Sequence, residues 1–275
     1  MAIVIQQDLM YDNLIEFNAE VHKYNLRKDG SEFRSVTRGL KSIKEPFDAK
    51  GISFAMAKRE LGNMDFKLIQ KRAEEIREEW RLKADNAASY GTDVHKVCED
   101  YLKTGIYDPG YEKLIQGINS IIHGAYHVFS ERIFYSEKHK MAGTGDLSII
   151  RQKMKYPVMD FYDFKTNIEK GIVFDSAKRI NGELVKHYNR FLLHPVDYLE
   201  DCNYNLYALQ LSIYAYMAQI TYNVRVGRTG ILFINKEFSL EVIPVPYMRM
   251  EAEMVLDHVS GLKSINEVAV DNFYN

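Results

Sequence analysis

Two aspartates and a lysine stand in sequence that otherwise favours buried β-strands. The segment GTGDLSIIRQKMKYPVMDFYDFKTN contains Asp146, Asp163 and Lys165. A turn centred between Met154 and Lys155 predicts an antiparallel hairpin in which Asp146 faces Asp163. The Cβ atoms of such a pair lie about 4.5–5.5 Å apart, and like charges there are destabilising unless a cation lies between them. Because hard cations such as Mg²⁺ prefer carboxylate oxygens, the pair predicts a metal site.

Lys165 adds a second kind of chemistry to this hairpin. The two-residue period of a strand puts Asp163 and Lys165 on one face. A lysine beside two carboxylates and a metal would hold a nucleophilic water or neutralise charge on a phosphate. An ordinary ion pair between Asp163 and Lys165 is the alternative, but the facing GTGD segment favours the metal site. Gly143 and Gly145 permit the close approach of a ligand or another backbone.

Two predicted helices carry polar residues four positions apart. His95 and Glu99, in GTDVHKVCEDYL, share a helix face, and both side-chain types bind divalent metals. Gln210 and Tyr214, in YALQLSIYAY, also share a face, and both can donate hydrogen bonds to a phosphate or a catalytic carboxylate. Taken alone, each pair is more often a surface pair or part of an amphipathic stripe.

The first half of the chain reads as a hairpin followed by helices. EVHKYNLRKDGSEFRSVT predicts a hairpin around a Lys-Asp-Gly turn. Apolar residues at spacings of three and four then predict helices in ISFAMAKREL, in the segment that follows it, and in YEKLIQGINSIIHGAYHVF. We expect the helix with His95 to start between Ser89 and Thr92 and to end at Gly105.

The second half reads as an α/β core with a mixed sheet. SERIFYSEKHK, GTGDLSIIRQ and YPVMDFYDFKTN predict strands, and residues 168–203 an irregular excursion. NYNLYALQLSIYAYMAQITYN predicts a helix, GRTGILFINKE and FSLEVIPVP a strand pair, and MRMEAEMVLDHVSGLKSINEV a closing helix. We place a hairpin and helical region at 1–85 and the core at 86–275.

Composition sets the broad class. The chain has 275 residues, 46% hydrophobic and 27% charged, which is ample for a core. MAIVIQQDLMYDN has no signal-peptide pattern, and the longest apolar stretches are too short for a bilayer, so we expect a soluble, intracellular protein. Two cysteines, Cys98 and Cys202, are too few for a disulfide scaffold or a four-thiolate cluster.

Basic residues are clustered although the net charge is −2. Such clusters can follow a phosphate backbone, although they are more often solvated faces. The first cluster contains Arg27, Lys28, Arg34, Arg38, Lys41, Lys44 and Lys50, and the second contains Lys178, Arg179, Lys186 and Arg190.

The motifs occur in the order GT-x-x-H-x-x-x-E, G-x-G-D, D-x-K and Q-L-x-x-Y, from about Phe33 to Pro246. This order resembles the RecB-like branch of the PD-(D/E)XK nuclease superfamily. The resemblance implies a restriction-endonuclease-like α/β core, with a central mixed sheet flanked by helices, and an N-terminal helical region. Members include phage, mitochondrial genome-maintenance and CRISPR-associated exonucleases. The cysteine count points to the members without an iron–sulfur cluster.

The resemblance implies roles for individual residues. Asp146 and Asp163 would bind the metal, and Lys165 would be the catalytic lysine. His95 resembles the metal-ligand histidine of the family, and the backbone carbonyl of Phe164 would add a ligand.

Four further residues match the helical motifs or lie beside them. Glu99 is the acid of the first helical motif, and Glu137, before Asp146, would assist. Gln210 and Tyr214 match the element that lines the site and contacts the nucleic acid.

The implied activity is Mg²⁺- or Mn²⁺-dependent hydrolysis of DNA, by an exonuclease preferring single-stranded or free ends. It would serve phage or bacterial DNA processing, recombination or repair, and a phage-encoded enzyme would act in the cytoplasm of the bacterial host. We expect a separate helicase or recombinase as its partner and no association with a membrane. Tyr188, Phe191 and Trp80 would stack on bases. The residues expected to guide the strand are Arg34, Arg38, Lys41, Lys178, Arg179, Lys186 and Arg190.

Three other interpretations remain. The first is a structure-selective endonuclease of the same fold. The second is a catalytically inactive nucleic-acid-binding protein, against which the full set of Asp146, Asp163, Lys165 and His95 argues. The third is an unrelated α/β domain with incidental matches.

Overall fold

The structure is a computed structural model. It describes residues 14–21, 23–62, 65–152, 156–166, 171–180 and 183–262, and for residues 179 and 180 it describes the backbone alone.

The chain divides into two compact units. One comprises the described parts of residues 1–44 and 98–275, and the other comprises residues 45–97. This differs from the expected boundary at residue 85, because the N-terminal hairpin joins the sheet of the larger unit. The second strand of this hairpin pairs there with a strand more than a hundred residues later in the chain.

An eight-stranded mixed sheet forms the centre of the larger unit. The strands of this sheet are β1 Ile15–Asn18, β2 Lys23–Leu26, β3 Glu32–Ser35, β4 His127–Ser136, β5 Met141–Ile150, β6 Val158–Lys165, β9 Arg225–Ile234 and β10 Leu240–Pro244. Their spatial order is β1-β2-β3-β5-β6-β9-β10, and β4 pairs with the edge of β5 opposite to β3 and β6. The pairs β3–β5 and β6–β9 are parallel, and the other pairs are antiparallel. The strands β7 Ala177–Ile180 and β8 Glu183–His187 pair separately.

Helices flank the sheet and also form the smaller unit. They are α1 Val36–Ser42, α2 Ala49–Leu61, α3 Phe66–Thr104, α4 Glu112–Ile122, α5 Asn203–Tyr222 and α6 Arg249–Ser260, with a 3₁₀ turn at Pro109–Tyr111. None of the helices in the described part of the chain combines the length and apolar character needed to span a membrane.

The helix α5 is the centre of the hydrophobic core. Most of its residues are buried, and they contact β4, β6, β9 and α6. The helix carries apolar side chains on most of its sides, and a helix of this kind must be buried on most sides. The sheet covers one side of α5, and other helices cover the other side. This burial fixes the polar residues of α5 in place.

A gap in the sheet lies beside the strand β5. One edge of β5 is paired with β4 along its length. The other edge pairs with β3 at Met141 and Ala142, and with β6 only from Leu147 to Ile150. The segment between, Gly143–Asp146, therefore has no ladder partner on that edge within the described residues, and the sheet forks there.

The predicted register of the β5–β6 hairpin is confirmed. Leu147 pairs with Tyr162 and Ile150 with Met159, so Asp146 and Asp163 occupy the next positions along the two strands. The predicted turn at Met154 and Lys155 lies outside the described residues. The predicted hairpin is also confirmed, since β2 pairs with β3.

Three predicted elements differ. The helix with His95 does not begin near Ser89, because good helix formers continue back to Phe66 and a single glycine does not break a helix. The helix α4 ends at Ile122, and Gly124 with φ of 70° leads into β4. The excursion at 168–203 contains the β7–β8 hairpin.

The smaller unit has its own small core. Residues Ala57, Ile69, Ala73 and Ile76 pack between α2 and the first half of α3. Trp80 packs against this core, with its ring 5.5 Å from that of Phe47.

Candidate active site

The fork of the sheet opens into a pocket of about 470 Å³, which we call the acid pocket. Its wall includes four carboxylates: Glu99, Glu131, Asp146 and Asp163. Lys165, Gln210 and Tyr214 also line it. Residues from β4, β5, β6, α3 and α5 thus converge although they are far apart in the chain.

Asp146 sits where β6 separates from β5. One carboxylate oxygen, Oδ2, accepts a hydrogen bond from the backbone N–H of Phe164 at 2.8 Å. The side chain thereby satisfies an N–H at the point where the β5–β6 ladder ends. Removal from water raises the pKa of Asp146 well above its ordinary value, and the charge of Asp163 raises it further.

Asp163 is held from two directions. It is only 2% exposed. Its Oδ2 contacts the ammonium of Lys165, and its Oδ1 accepts a hydrogen bond from Nε2 of Gln210 at 3.3 Å. The ion pair that the sequence offered as an alternative is therefore present, and it lies inside the acid pocket.

Lys165 remains a cation in this setting. Its ammonium also lies 4.7 Å from the ring centroid of Tyr207. Burial acts to lower the pKa of Lys165, but the charges of Asp163 and Asp146 outweigh burial and raise that pKa above its ordinary value. The lysine is thus the positive group that balances the acids.

The helix α5 supplies Gln210 and Tyr214. The amide of Gln210 donates to Asp163 and also to the hydroxyl of Tyr214, at 3.1 Å. Burial, and then the charge of Asp163, raise the pKa of Tyr214 well above its ordinary value. A Cβ on Gly143 would lie 2.6 Å from Cε1 of Tyr214, so the close approach that the glycine permits is that of this ring.

Glu131 is a functional candidate that the sequence did not reveal. It lies on β4 between Ser130, which pairs with Leu147, and Arg132, which pairs with Gly145. Its φ is 53°, a left-handed conformation that is uncommon for a residue with a side chain. Burial, and then the nearby charge of Glu99, raise the pKa of Glu131 to about 7. In the sequence, the only indication of this role was an acidic residue within the predicted strand SERIFYS.

The other predicted acids fall in different places. Glu99 lines the acid pocket and contacts the ammonium of Lys103 one turn later. Glu137 lies in the turn after β4, where it is exposed and pairs with Lys28 at 3.2 Å, and it does not line the pocket. His95 lies one helical turn before Glu99 on α3, in the smaller unit.

The predicted strand-guiding residues are divided among several surfaces. Arg34 and Arg38 line a second pocket, and Lys41 is exposed on α1. Lys178 and Arg190 line a third pocket, of about 980 Å³. The side chain of Arg179 lies outside the described part of the structure.

Of the predicted aromatic platforms, Tyr188 is 42% exposed and Phe191 is 46% exposed. Lys186 and Arg190 lie 5.5 and 5.4 Å from the ring centroid of Tyr188.

The donor chemistry of the acid pocket suits a hard divalent cation. Among the described residues, no three His, Cys, Asp or Glu side chains already converge as a metal-binding group. Four carboxylates nevertheless share one pocket, and burial, followed by repulsion between the acids, raises the pKa of Asp146 and of Glu131. Oxygen ligands and surplus negative charge are what Mg²⁺ and Mn²⁺ require.

Comparisons with known proteins add little. No protein-family model matches the chain, and no curated protein shows significant similarity to it. One solved structure found to be similar, described as "Crystal structure of SSO0001", is 13% identical, covers 83% of this chain and 84% of its own, and superposes with a TM-score of 0.27. At that TM-score the likeness carries no argument about function. What is shown is an α/β fold with a mixed central sheet flanked by helices.

Proposed function

We propose that this protein is a divalent-metal-dependent deoxyribonuclease with a RecB-like PD-(D/E)XK fold. The observation that supports it best is the meeting of Asp146, Asp163 and Lys165 at the fork of the sheet. Asp146 satisfies the backbone N–H of Phe164, but this does not require a second acid beside it, and burying like charges costs stability. The cluster is readily explained by a cation that binds between the acids.

Asp146 and Asp163 would hold the ion, with Glu131 and Glu99 on the same wall as further oxygen donors. A bound Mg²⁺ or Mn²⁺ lowers the pKa of water and stabilises charge on a phosphate oxygen. The affinity for such an ion depends on deprotonated carboxylates, so metal binding should strengthen as the acids lose their protons.

Lys165 would act on the nucleophile and the phosphate. Its ammonium lies inside the pocket and stays protonated, so it can donate hydrogen bonds to a water or to a phosphate oxygen. Contact with Asp163 keeps the ammonium beside the acids.

Gln210 and Tyr214 would position the acids. The amide of Gln210 holds Oδ1 of Asp163, and the hydroxyl of Tyr214 holds the amide in turn. Since α5 is buried, these groups are preorganised before any substrate binds.

We propose exonuclease action on single-stranded or free DNA ends, in phage or bacterial recombination or repair, beside a separate helicase or recombinase. This choice rests on the family resemblance. An endonuclease of the same fold would use the same side chains.

A catalytically inactive nucleic-acid-binding protein is the second candidate. It is favoured by the ion pair between Lys165 and Asp163, and by the fact that no three ligands already converge among the described residues.

The test uses end-labelled linear single strands, linear duplexes and closed circles, each with Mg²⁺, Mn²⁺ or EDTA. We expect metal-dependent shortening of linear DNA by the wild-type protein and at least a hundredfold slower cleavage by Lys165→Ala. Lys113→Ala, on the surface of α4, is the matched control and should cleave normally. Cutting of circles would identify an endonuclease. Gel shifts without cleavage would identify the inactive binding protein.

A further inference from the structure

A second pocket, of about 560 Å³, is lined by cationic side chains from separate elements. Arg34 comes from β3 and Arg38 from α1, while Lys138 and Lys140 come from the turn between β4 and β5. We call it the basic pocket. Glu32 is the carboxylate on its wall, and it is paired with Lys23 at 2.7 Å.

Most of this positive charge is not neutralised. Lys138 pairs with Asp257 at 3.2 Å. Within the described part of the chain, Arg34, Arg38 and Lys140 have no carboxylate at ion-pair distance. Arg34 donates to the carbonyl of Val259 at 3.4 Å, and the ammonium of Lys140 lies 5.0 Å from the ring centroid of Phe33 and feels the charge of Asp29 at longer range. Unpaired guanidinium and ammonium groups around one cavity are suited to a phosphate.

A buried network holds the pocket wall in place. His139 is 2% exposed, and its ring contacts Oγ of Ser136 at 2.7 Å and Oδ1 of Asp257 at 3.1 Å. The backbone N–H of Arg34 donates to the carbonyl of Lys140 at 2.8 Å. The turn is therefore fixed against both β3 and α6, and Lys138 and Lys140 on it line the cavity.

The basic pocket and the acid pocket share the same backbone segments. Ser35 and Thr37 line the acid pocket, whereas Arg34 and Arg38 line the basic pocket. The strand β5 runs from Met141, at the basic pocket, to Asp146 in the acid pocket. Met141 and Asp146 are five steps apart on this strand, or roughly 17 Å, which is the distance between phosphates a few nucleotides apart on one DNA strand.

We propose that the basic pocket binds a phosphate of the same DNA strand whose backbone is cut in the acid pocket, a few nucleotides from the site of cleavage. The inference rests on the proposed function and adds a fixed anchoring point to it. A terminal phosphomonoester and an internal phosphodiester both present negatively charged non-bridging oxygens, so the experiment separates them.

The test measures DNA binding by fluorescence anisotropy, with Ca²⁺ replacing the catalytic ion so that no cleavage occurs. The variants are Arg38→Gln, Lys140→Gly and the double variant. Lys140 has φ of 50°, where glycine is unstrained, so Lys140→Gly should fold well. Lys113→Gln and Lys236→Gln are charge-matched controls on other surfaces.

We expect each single variant to weaken binding of a 20-nucleotide duplex about three- to tenfold, and to lower the slope of log Kd against log salt by about 1. The controls should stay within twofold. A preference for 5′-phosphate over 5′-hydroxyl ends, lost in the variants, would identify a terminal phosphate; no preference would identify an internal one.

Two failures are distinguishable. If the wild-type protein cleaves DNA but the variants bind 20-mers as tightly as it does, the basic pocket is not a phosphate site and the proposed function stands. If the wild-type protein neither binds nor cleaves DNA, the proposed function fails, and inorganic phosphate becomes the probe. Thermal stabilisation by phosphate, absent in the double variant, would then support a phosphate site, and no stabilisation would overturn it.

Discussion

Glu131 can be tested by separating its backbone strain from its charge. The residue has φ of 53° within a strand, and its carboxylate lines the acid pocket. Glu131→Gln removes the charge but keeps the strain. Glu131→Gly removes both, because glycine adopts positive φ without steric cost.

The two variants should stabilise the metal-free protein by different amounts. A left-handed conformation costs a residue with a side chain about 1–2 kcal/mol, and the greater freedom of glycine in the unfolded chain returns about 0.5–1 kcal/mol of that. We therefore expect Glu131→Gly to be more stable than Glu131→Gln by about 1 kcal/mol, which corresponds to about 2–4 °C in Tm.

The charge of Glu131 makes a separate, pH-dependent contribution. The carboxyl has an ordinary pKa of 4.5, which the fold raises to about 7 through burial and the charge of Glu99. A raised acid pKa stabilises the fold fully below pH 4.5, and this stability is lost as the pH rises through 7. Because Glu131 is half-buried, screening leaves a loss of about 1–2 kcal/mol for the wild-type protein relative to Glu131→Gln.

The assay is urea unfolding in EDTA at pH 5 and pH 8. The stability difference between Glu131→Gln and the wild-type protein should grow between the two pH values, while Glu137→Gln, outside the pocket, should show no such growth. Both Glu131 variants should bind Mn²⁺ less tightly. A Glu131→Gly variant less stable than Glu131→Gln would refute the strain, and an unchanged difference between Glu131→Gln and wild type at the two pH values would refute the raised pKa.

Three further predictions concern neighbouring groups. Gly143→Ala places a Cβ 2.6 Å from Cε1 of Tyr214, so urea unfolding should show a loss of about 1–3 kcal/mol, and unchanged stability would contradict the tight ring contact. Gln210→Leu removes the amide between Asp163 and Tyr214, and steady-state kinetics should show kcat lowered about tenfold or more with KM little changed; a change in KM alone would assign Gln210 to substrate binding. Asp257→Ala leaves His139 buried without its carboxylate, and thermal unfolding should show a cost of about 2–3 kcal/mol, whereas a loss below 0.5 kcal/mol would show that the network does not hold the turn.

The sequence was sufficient to predict the centre of the acid pocket. Alternation along two strands, together with a turn position, determined the register of β5 and β6. That register puts Asp146 and Asp163 just beyond the last ladder pair, Leu147 and Tyr162, and the same period puts Lys165 on the face of Asp163. Helical spacing likewise placed Gln210 and Tyr214 on one face of α5. Short-range periodicity therefore accounts for most of the acid pocket.

Other features depend on contacts that no local pattern encodes. The pairing of β3 with β5 places Arg34 beside Met141, although α2, α3 and α4 lie between them in the chain. This pairing brings Arg34 to the basic pocket. Glu131 enters the acid pocket through a reversal of φ, which residue types in a strand do not signal. Glu137 is nearer to Asp146 in the sequence than Glu131 is, but the turn after β4 places Glu137 on the surface.

The central claim is that the acids of the fork hold a divalent cation. Titration of Mn²⁺ followed by electron paramagnetic resonance, at pH 8 and without DNA, tests it most directly. The wild-type protein should bind at least one ion, and Asp163→Asn and Asp146→Asn should each weaken its affinity at least tenfold, with Asp257→Asn as the buried control that leaves it unchanged. If the Mn²⁺ signal remained that of the free ion in the presence of the wild-type protein and of both aspartate variants, the carboxylates would not form a metal site. The proposed chemistry would then be wrong.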